Sequence, residues 1–132
     1  MNSLRSIGEL VKNRDIREEF KGFVRPNTTP TPDDLFDIFL TLLTHAELKV
    51  LLYIIRRTYG FKKDDDRISL KQISAGITTK KGGQLDKGAG ITKRGAIKAL
   101  QALEKRGLIW VSRTQAPDGN NQINVYSLRF RE

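Results

Sequence analysis

Gly90–Gly107, GITKRGAIKALQALEKRG, holds a helix start, a buried stripe and a helix stop within a single stretch. Thr92 supplies the N-cap, because its hydroxyl can accept a hydrogen bond from an unpaired amide of the first turn. Gly107 stands where a helix needs a left-handed residue to stop, and Lys105 and Arg106 fill the last turn, where the macrodipole favours cations. Between these ends, Ala96, Ala99, Leu100 and Leu103 fall at i, i+3, i+4 and i+7, one buried stripe of helical period. At roughly 100° per residue, Arg94, Lys98, Gln101 and Lys105 lie opposite that stripe, and no acidic residue shares their face. A polar helix face normally mixes its signs. An all-basic one with a glutamine fits a helix laid against phosphates and base edges. The plain alternative is a solvated flank that happens to be basic, and the rest of the chain has to decide between the two.

The chain of 132 residues fits one domain with an appended arm. Cysteine is absent, which excludes disulfides, thiolate metal sites and cysteine nucleophiles, and a single histidine gives no His-rich metal cluster. No metal and no cofactor are expected. No apolar run reaches the ~18 residues of a membrane helix, and the N-terminus lacks the apolar core of a signal peptide, so a cytoplasmic protein is expected. The net charge is +9, and it is unevenly placed: residues 62–107 carry twelve basic and five acidic side chains, residues 31–61 only three and four. A cationic excess collected in the segment that ends with the basic helix favours a polyanion over generic solubility. An anionic membrane would fit the charge, but the segment offers no large apolar face to bury in lipid.

Residues 1–30 read as an N-terminal arm and linker: Leu4, Ile7, Leu10 and Val11 have helical spacing, Ile16 and Phe20 extend it on a second short helix, and Arg25–Pro30 is turn-rich. The arm is a candidate homodimer contact. Thr31-Pro32-Asp33-Asp34 is a helix start, an N-cap hydroxyl followed by proline and two carboxylates, with Leu35, Phe36, Ile38, Phe39, Leu42 and Leu43 expected mostly in the core. Thr44 and Glu47 form a capping box for the next helix, which is apolar nearly all round and is expected to be the central one, stopping at Gly60 with Phe61 folded back on it. His45, in its first turn, reads as an ordinary surface residue. Residues 62–67 are a charged turn without the ligand spacing of an EF-hand, Arg67–Leu70 a short strand, and Ser69 or Leu70 the start of a short helix through Ala75. Thr78-Thr79 and Gln84-Leu85 around Lys81-Gly82-Gly83 read as an inserted β-hairpin made basic by Lys80, Lys81 and Lys87. Leu108–Thr114 and Ile123–Phe130 are two strands joined by a turn over Ala116–Asn121; Ile123, Val125, Ser127 and Arg129 share one face, and Tyr126, Leu128 and Phe130 the other. Trp110 fits the core better than a stacking platform for a base, since it follows the helix stop so closely.

Helix, short strand, helix, basic helix and β-hairpin is the order of a winged helix–turn–helix. The expected class is therefore mainly α with a small β-hairpin (α+β): residues 1–30 the helical arm, residues 31–132 a DNA-binding domain with a basic hairpin inserted before its recognition helix. In that geometry the N-terminal part of the recognition helix faces base edges in duplex DNA and the wing reaches the flanking backbone. Thr92, Lys93, Arg94 and Lys98 are the readers, with Gln101 on the same face. Lys105, Lys71 and Gln72 serve phosphates, the hairpin lysines Lys80, Lys81 and Lys87 add backbone contacts, and Arg113, Thr114, Asn120, Asn121 and Gln122 are the wing candidates.

Leu48–Phe61, LKVLLYIIRRTYGF, followed by Lys62-Lys63-Asp64 and Asp66-Arg67-Ile68-Ser69-Leu70, resembles the N-terminal winged-helix domain of phage replication protein O and related replication organisers. The arginine-rich helix end running into Thr-Tyr-Gly-aromatic, then Lys and Asp, then Ile-Ser-Leu, carries the similarity, which spans roughly Phe23 to Ile109. The resemblance implies a domain that binds repeated sites at a replication origin, often as a dimer, with DNA contacts on Thr92, Lys93, Arg94 and Lys98. The inserted hairpin is not in the simplest members. The sequence also stops just after the wing, without the C-terminal region through which organisers recruit helicase or its loader, so no such contact is expected; it is either a piece of a longer chain or a DNA-binding module alone. The alternatives are a transcription regulator on the same fold and a winged helix serving as a protein adaptor. An enzyme is not expected: no nucleophile–base pair or metal cluster is present, and Gly82-Gly83 and Gly88-Ala89-Gly90 lack the Gly-Lys-Ser/Thr of a phosphate loop.

Overall fold

The computed structural model describes residues 20–25, 27–113 and 123–131. The expected arm helices before Phe20, the dimer contact assigned to them, and the wing residues Thr114, Asn120, Asn121 and Gln122 lie outside the described residues, as does the turn over Ala116–Asn121.

The chain mixes helix and strand. In order it forms α1 (Asp33–Asp37), α2 (His45–Thr58), β1 (Asp65–Ile68), α3 (Leu70–Ala75), β2 (Ile77–Thr78), β3 (Gln84–Asp86), α4 (Lys93–Lys105), β4 (Ile109–Ser112) and β5 (Asn124–Leu128), with 3-10 turns at Phe39–Thr41 and Tyr59–Phe61. The strands β1, β5 and β4 make one antiparallel sheet in that spatial order, and β2 and β3 pair separately as the inserted hairpin. One face of the three-stranded sheet covers the helices. Ile68, Ile109, Tyr126 and Leu128 come from the strands, and they meet Val50, Ile54 and Ile55 of α2, Ile73 of α3, and Ala96, Ala99, Leu100 and Leu103 of α4 in one core.

The helix α2 starts as its sequence dictates: the Glu47 amide donates to Thr44 Oγ1 at 3.2 Å and the Thr44 amide to Glu47 Oε1 at 3.4 Å. It is not buried on every side, since Leu52 is 42% exposed beside exposed Lys49 and Arg56. Nor does Gly60 stop it. The helix ends at Thr58, and the left-handed residue is Lys62, at φ 58°. Phe61 does fold back on the last turn, where the Arg56 and Arg57 guanidinium carbons each lie 4.5 Å from its ring centroid, and it keeps its outer side exposed.

Three further expectations change. The segment after Thr31 is not a long core helix: α1 has five residues, Pro32 stands at its N-cap position, and Thr31 donates its hydroxyl to Thr29 O instead. Leu35 and Leu43 are buried, whereas Phe36, Ile38, Leu40 and Leu42 are about half exposed. The strand β1 begins earlier than Arg67 because Asp65 and Asp66 already pair with Ser127 and Tyr126 of β5. Trp110 is not core but 59% exposed, because strand parity turns it away from buried Ile109.

Candidate nucleic-acid interface

The helix α4 is closed at both ends by its own sequence. Gly95 N–H donates to Thr92 Oγ1 at 3.0 Å. At the other end Gly107, at φ 79°, lets its own amide reach Glu104 O and the Leu108 amide reach Leu103 O, both at 3.0 Å. The stripe Ala96, Ala99, Leu100 and Leu103 is buried. On the outward flank Lys93, Arg94, Lys98, Gln101 and Lys105 are exposed, and none makes a hydrogen bond or ion pair among the described residues. Many of the chain's other cations do not share that freedom. Arg57 lies 3.6 Å from both Asp66 and Asp86, Lys63 3.3 Å from Asp66, and Arg106 3.1 Å from Glu47.

Three contacts set the direction of α4. The Arg106–Glu47 pair ties its C-terminal end to the capped start of α2. Ser74 of α3 donates its hydroxyl to Ile91 O at 2.6 Å, holding the residue just before the Thr92 cap. Arg113, at the end of β4, grips Glu104 with two bonds of 2.6 and 3.0 Å. That bidentate bond holds the Glu104 carboxyl below its usual range and the guanidinium above its own. Glu104 is thereby neutralised beside the cationic flank, and Arg113 braces the base of the β4–β5 hairpin instead of standing free on it. A small groove runs between them, lined among others by Ile97, Gln101, Val111 and Asn124.

The inserted hairpin forms as its glycines require. Thr79 N–H donates to Gly83 O at 2.6 Å and Gly82 N–H to Thr79 O at 3.0 Å, which leaves Lys80 and Lys81 exposed at the tip and Lys87 exposed after β3. Lys71 is exposed at the start of α3. Gln72 acts locally. Its side-chain oxygen accepts from Ser69 N–H at 2.7 Å while its amide donates to Ser69 Oγ at 3.1 Å, a capping box for α3.

Sequence reasoning missed the anchor of this hairpin. Tyr53 O–H lies 3.2 Å from both carboxylate oxygens of Asp86, the Gly88 amide donates to the same carboxylate at 2.9 Å, and Arg57 stands beside it. The one trace in the sequence is a polar pair, Tyr53 and Arg57, four residues apart on the buried side of α2. Burial first, then the charge and hydrogen bond of Asp86, push the Tyr53 hydroxyl well above its ordinary range, against a smaller lowering by Arg57. The unfolded tyrosine ionises near pH 10 while the folded one resists. The stabilisation is therefore complete below about pH 10 and falls as pH rises beyond it. Tyr53→Phe should lower stability at neutral pH by about 1–2 kcal/mol and flatten the alkaline loss. Tyr59 and Tyr126 are raised too, so part of the slope should persist. Denaturant melts from pH 8 to 11.5 check this; a variant whose slope matches the parent's would rule the linkage out.

The described residues thus include a free cationic helix flank, a basic hairpin anchored on α2 and α3, and a strand pair tied to α4 through Arg113 and Glu104. No helix among them is long and apolar enough to cross a membrane. The class is that of phage replication proteins: the family described as bacteriophage replication protein O matches residues 29–126. The chain belongs to this family, and its role is accordingly related to replication. The matched span runs from before α1 into β5, so it takes in the helices, the inserted hairpin and most of the sheet. No curated protein matches the chain, and no solved structure does.

Proposed function

We propose that this chain is a sequence-specific duplex-DNA-binding domain of winged helix–turn–helix type, recognising repeated sites in the replication origin of a phage, plasmid or related element. The observation that carries the reading is the outward flank of α4. Five polar side chains, four of them cationic, stand exposed and unengaged on a helix whose ends and orientation are fixed by hydrogen bonds and ion pairs. A helix held that firmly with its cations idle is pre-formed for an anionic surface. Thr92, Lys93, Arg94 and Lys98, at the N-terminal end, face base edges; Lys105 takes a phosphate. Lys71 and the hairpin lysines Lys80, Lys81 and Lys87 neutralise backbone to one side, and the β4–β5 wing reaches it on the other.

Selection of bound duplexes from a random pool at stated salt tests this. Enrichment of one motif, with affinity falling steeply as salt rises, is the expected result, at roughly 0.9 in logarithmic slope per phosphate contacted. Footprints on the parent element should then fall on clustered repeats at its origin. A single operator over a promoter would instead make the protein a transcription regulator, and absence of salt-dependent duplex binding would leave a protein adaptor.

A further inference from the structure

The sheet face turned away from the helices carries chemistry that duplex recognition does not use. Trp110, 59% exposed, lies on it beside Ser127, and Ser127 beside Asp65. The next outward row is Ser112, Val125 and Arg67. Just past β5, Arg129 sets its guanidinium carbon 5.2 Å from the Trp110 ring centroid while one of its nitrogens donates to Gly107 O at 3.5 Å. An indole is thus held in the open on a strand surface, next to one fixed guanidinium, with a second exposed arginine two strands away and a single carboxylate, Asp65, at the β1 end of its own row.

We propose that this face binds single-stranded DNA, with an unpaired base stacked on Trp110 and phosphates beside Arg129 and Arg67. An exposed aromatic flanked by cations on a flat strand surface is the arrangement that takes unstacked bases. A duplex cannot use it, because its bases already cover one another and present only their edges. An apolar protein partner fits poorly, since Trp110 is flanked by Ser127, Ser112 and Arg129, and Val125 is the one apolar side chain in the adjacent outward row. The site is separate from the α4 flank, which belongs to the helical layer on the sheet's other side. It goes beyond the duplex reading and does not depend on it.

Trp110 is the chain's one tryptophan, so its emission reports this site alone. An oligo(dT) of about twelve nucleotides, which has no structure of its own, should quench that emission saturably at low salt. By anisotropy of a labelled strand, Trp110→Ala should weaken binding by roughly 5- to 100-fold; Trp110→Phe should restore much of it, and Arg129→Gln should reduce its salt dependence. Trp110→Ala should leave the selected duplex bound within about twofold, whereas Arg94→Ala should do the reverse. Absent quenching, equal oligo(dT) affinity of parent and Trp110→Ala, or equal quenching by a non-specific duplex of the same length would each overturn the proposal. Loss of duplex recognition with oligo(dT) binding retained would overturn the proposed function and leave this one standing.

Discussion

Arg94→Ala should weaken binding of the selected duplex by roughly 5- to 150-fold and relax the base preference at one position, the signature of a lost bidentate grip on guanine worth about 1–3 kcal/mol. Arg94 is the second residue of α4, exposed and unengaged, at the helix end that faces base edges in the proposed geometry. Lys105, three turns further on the same flank and assigned to a phosphate, should behave differently. Removing a phosphate contact weakens every sequence alike and lowers the logarithmic salt slope by about 0.9. Neither side chain touches the rest of the protein, so both variants should keep the parent's stability within about 0.5 kcal/mol. Competition binding over single-base variants of the motif, at two salt concentrations, reads all three quantities. Uniform weakening by Arg94→Ala would demote it to a phosphate contact; unchanged affinity in both variants would end the assignment of α4 as the reading helix.

How much of this is legible in the sequence differs from element to element. The α4 stretch is legible because cap, stripe and stop sit within one local window, and each constrains the same register. The hairpin is legible for a similar reason: Gly82-Gly83 between two short polar runs leaves the backbone little else to do. The opposite holds after Thr31. Apolar residues at nearly every position of residues 35–43 carry no period, and a helix cannot turn them all inward; α1 ends at Asp37, and only Leu35 and Leu43 are buried. Trp110 is misplaced by its proximity to a helix stop, which is weaker information than strand parity, and parity is set by Ile109. At the candidate site the sequence gives charges but not which are paired. Arg113 and Arg94 look equivalent as residues, yet the first is held by Glu104 and the second by nothing among the described residues. The Tyr53–Asp86 anchor spans 33 positions, and no local rule reaches that far.

Gly76→Ala should be among the most destabilising single substitutions outside the core, lowering stability by about 3 kcal/mol and the melting temperature by about 10 °C or more. Gly76 caps α3 at φ +87°, and a Cβ there would stand 2.0 Å from the carbonyl oxygen of Asp86 and 2.7 Å from the Gly88 amide nitrogen. Those neighbours are backbone, so relief requires moving the return strand of the hairpin. Moving it would pull Asp86 away from Tyr53 and Arg57 and shift residues 88–92, which lead into the capped start of α4. Duplex affinity should therefore fall even at temperatures where the variant remains folded. Gly90→Ala provides the control. Gly90 has φ +70°, and an added methyl group would meet nothing within 4 Å, so that substitution carries only the left-handed strain of about 1–2 kcal/mol. The excess loss in Gly76→Ala measures the close approach of α3 to the hairpin, and equal melting of the two variants would mean that α3 and the hairpin are not in contact in solution.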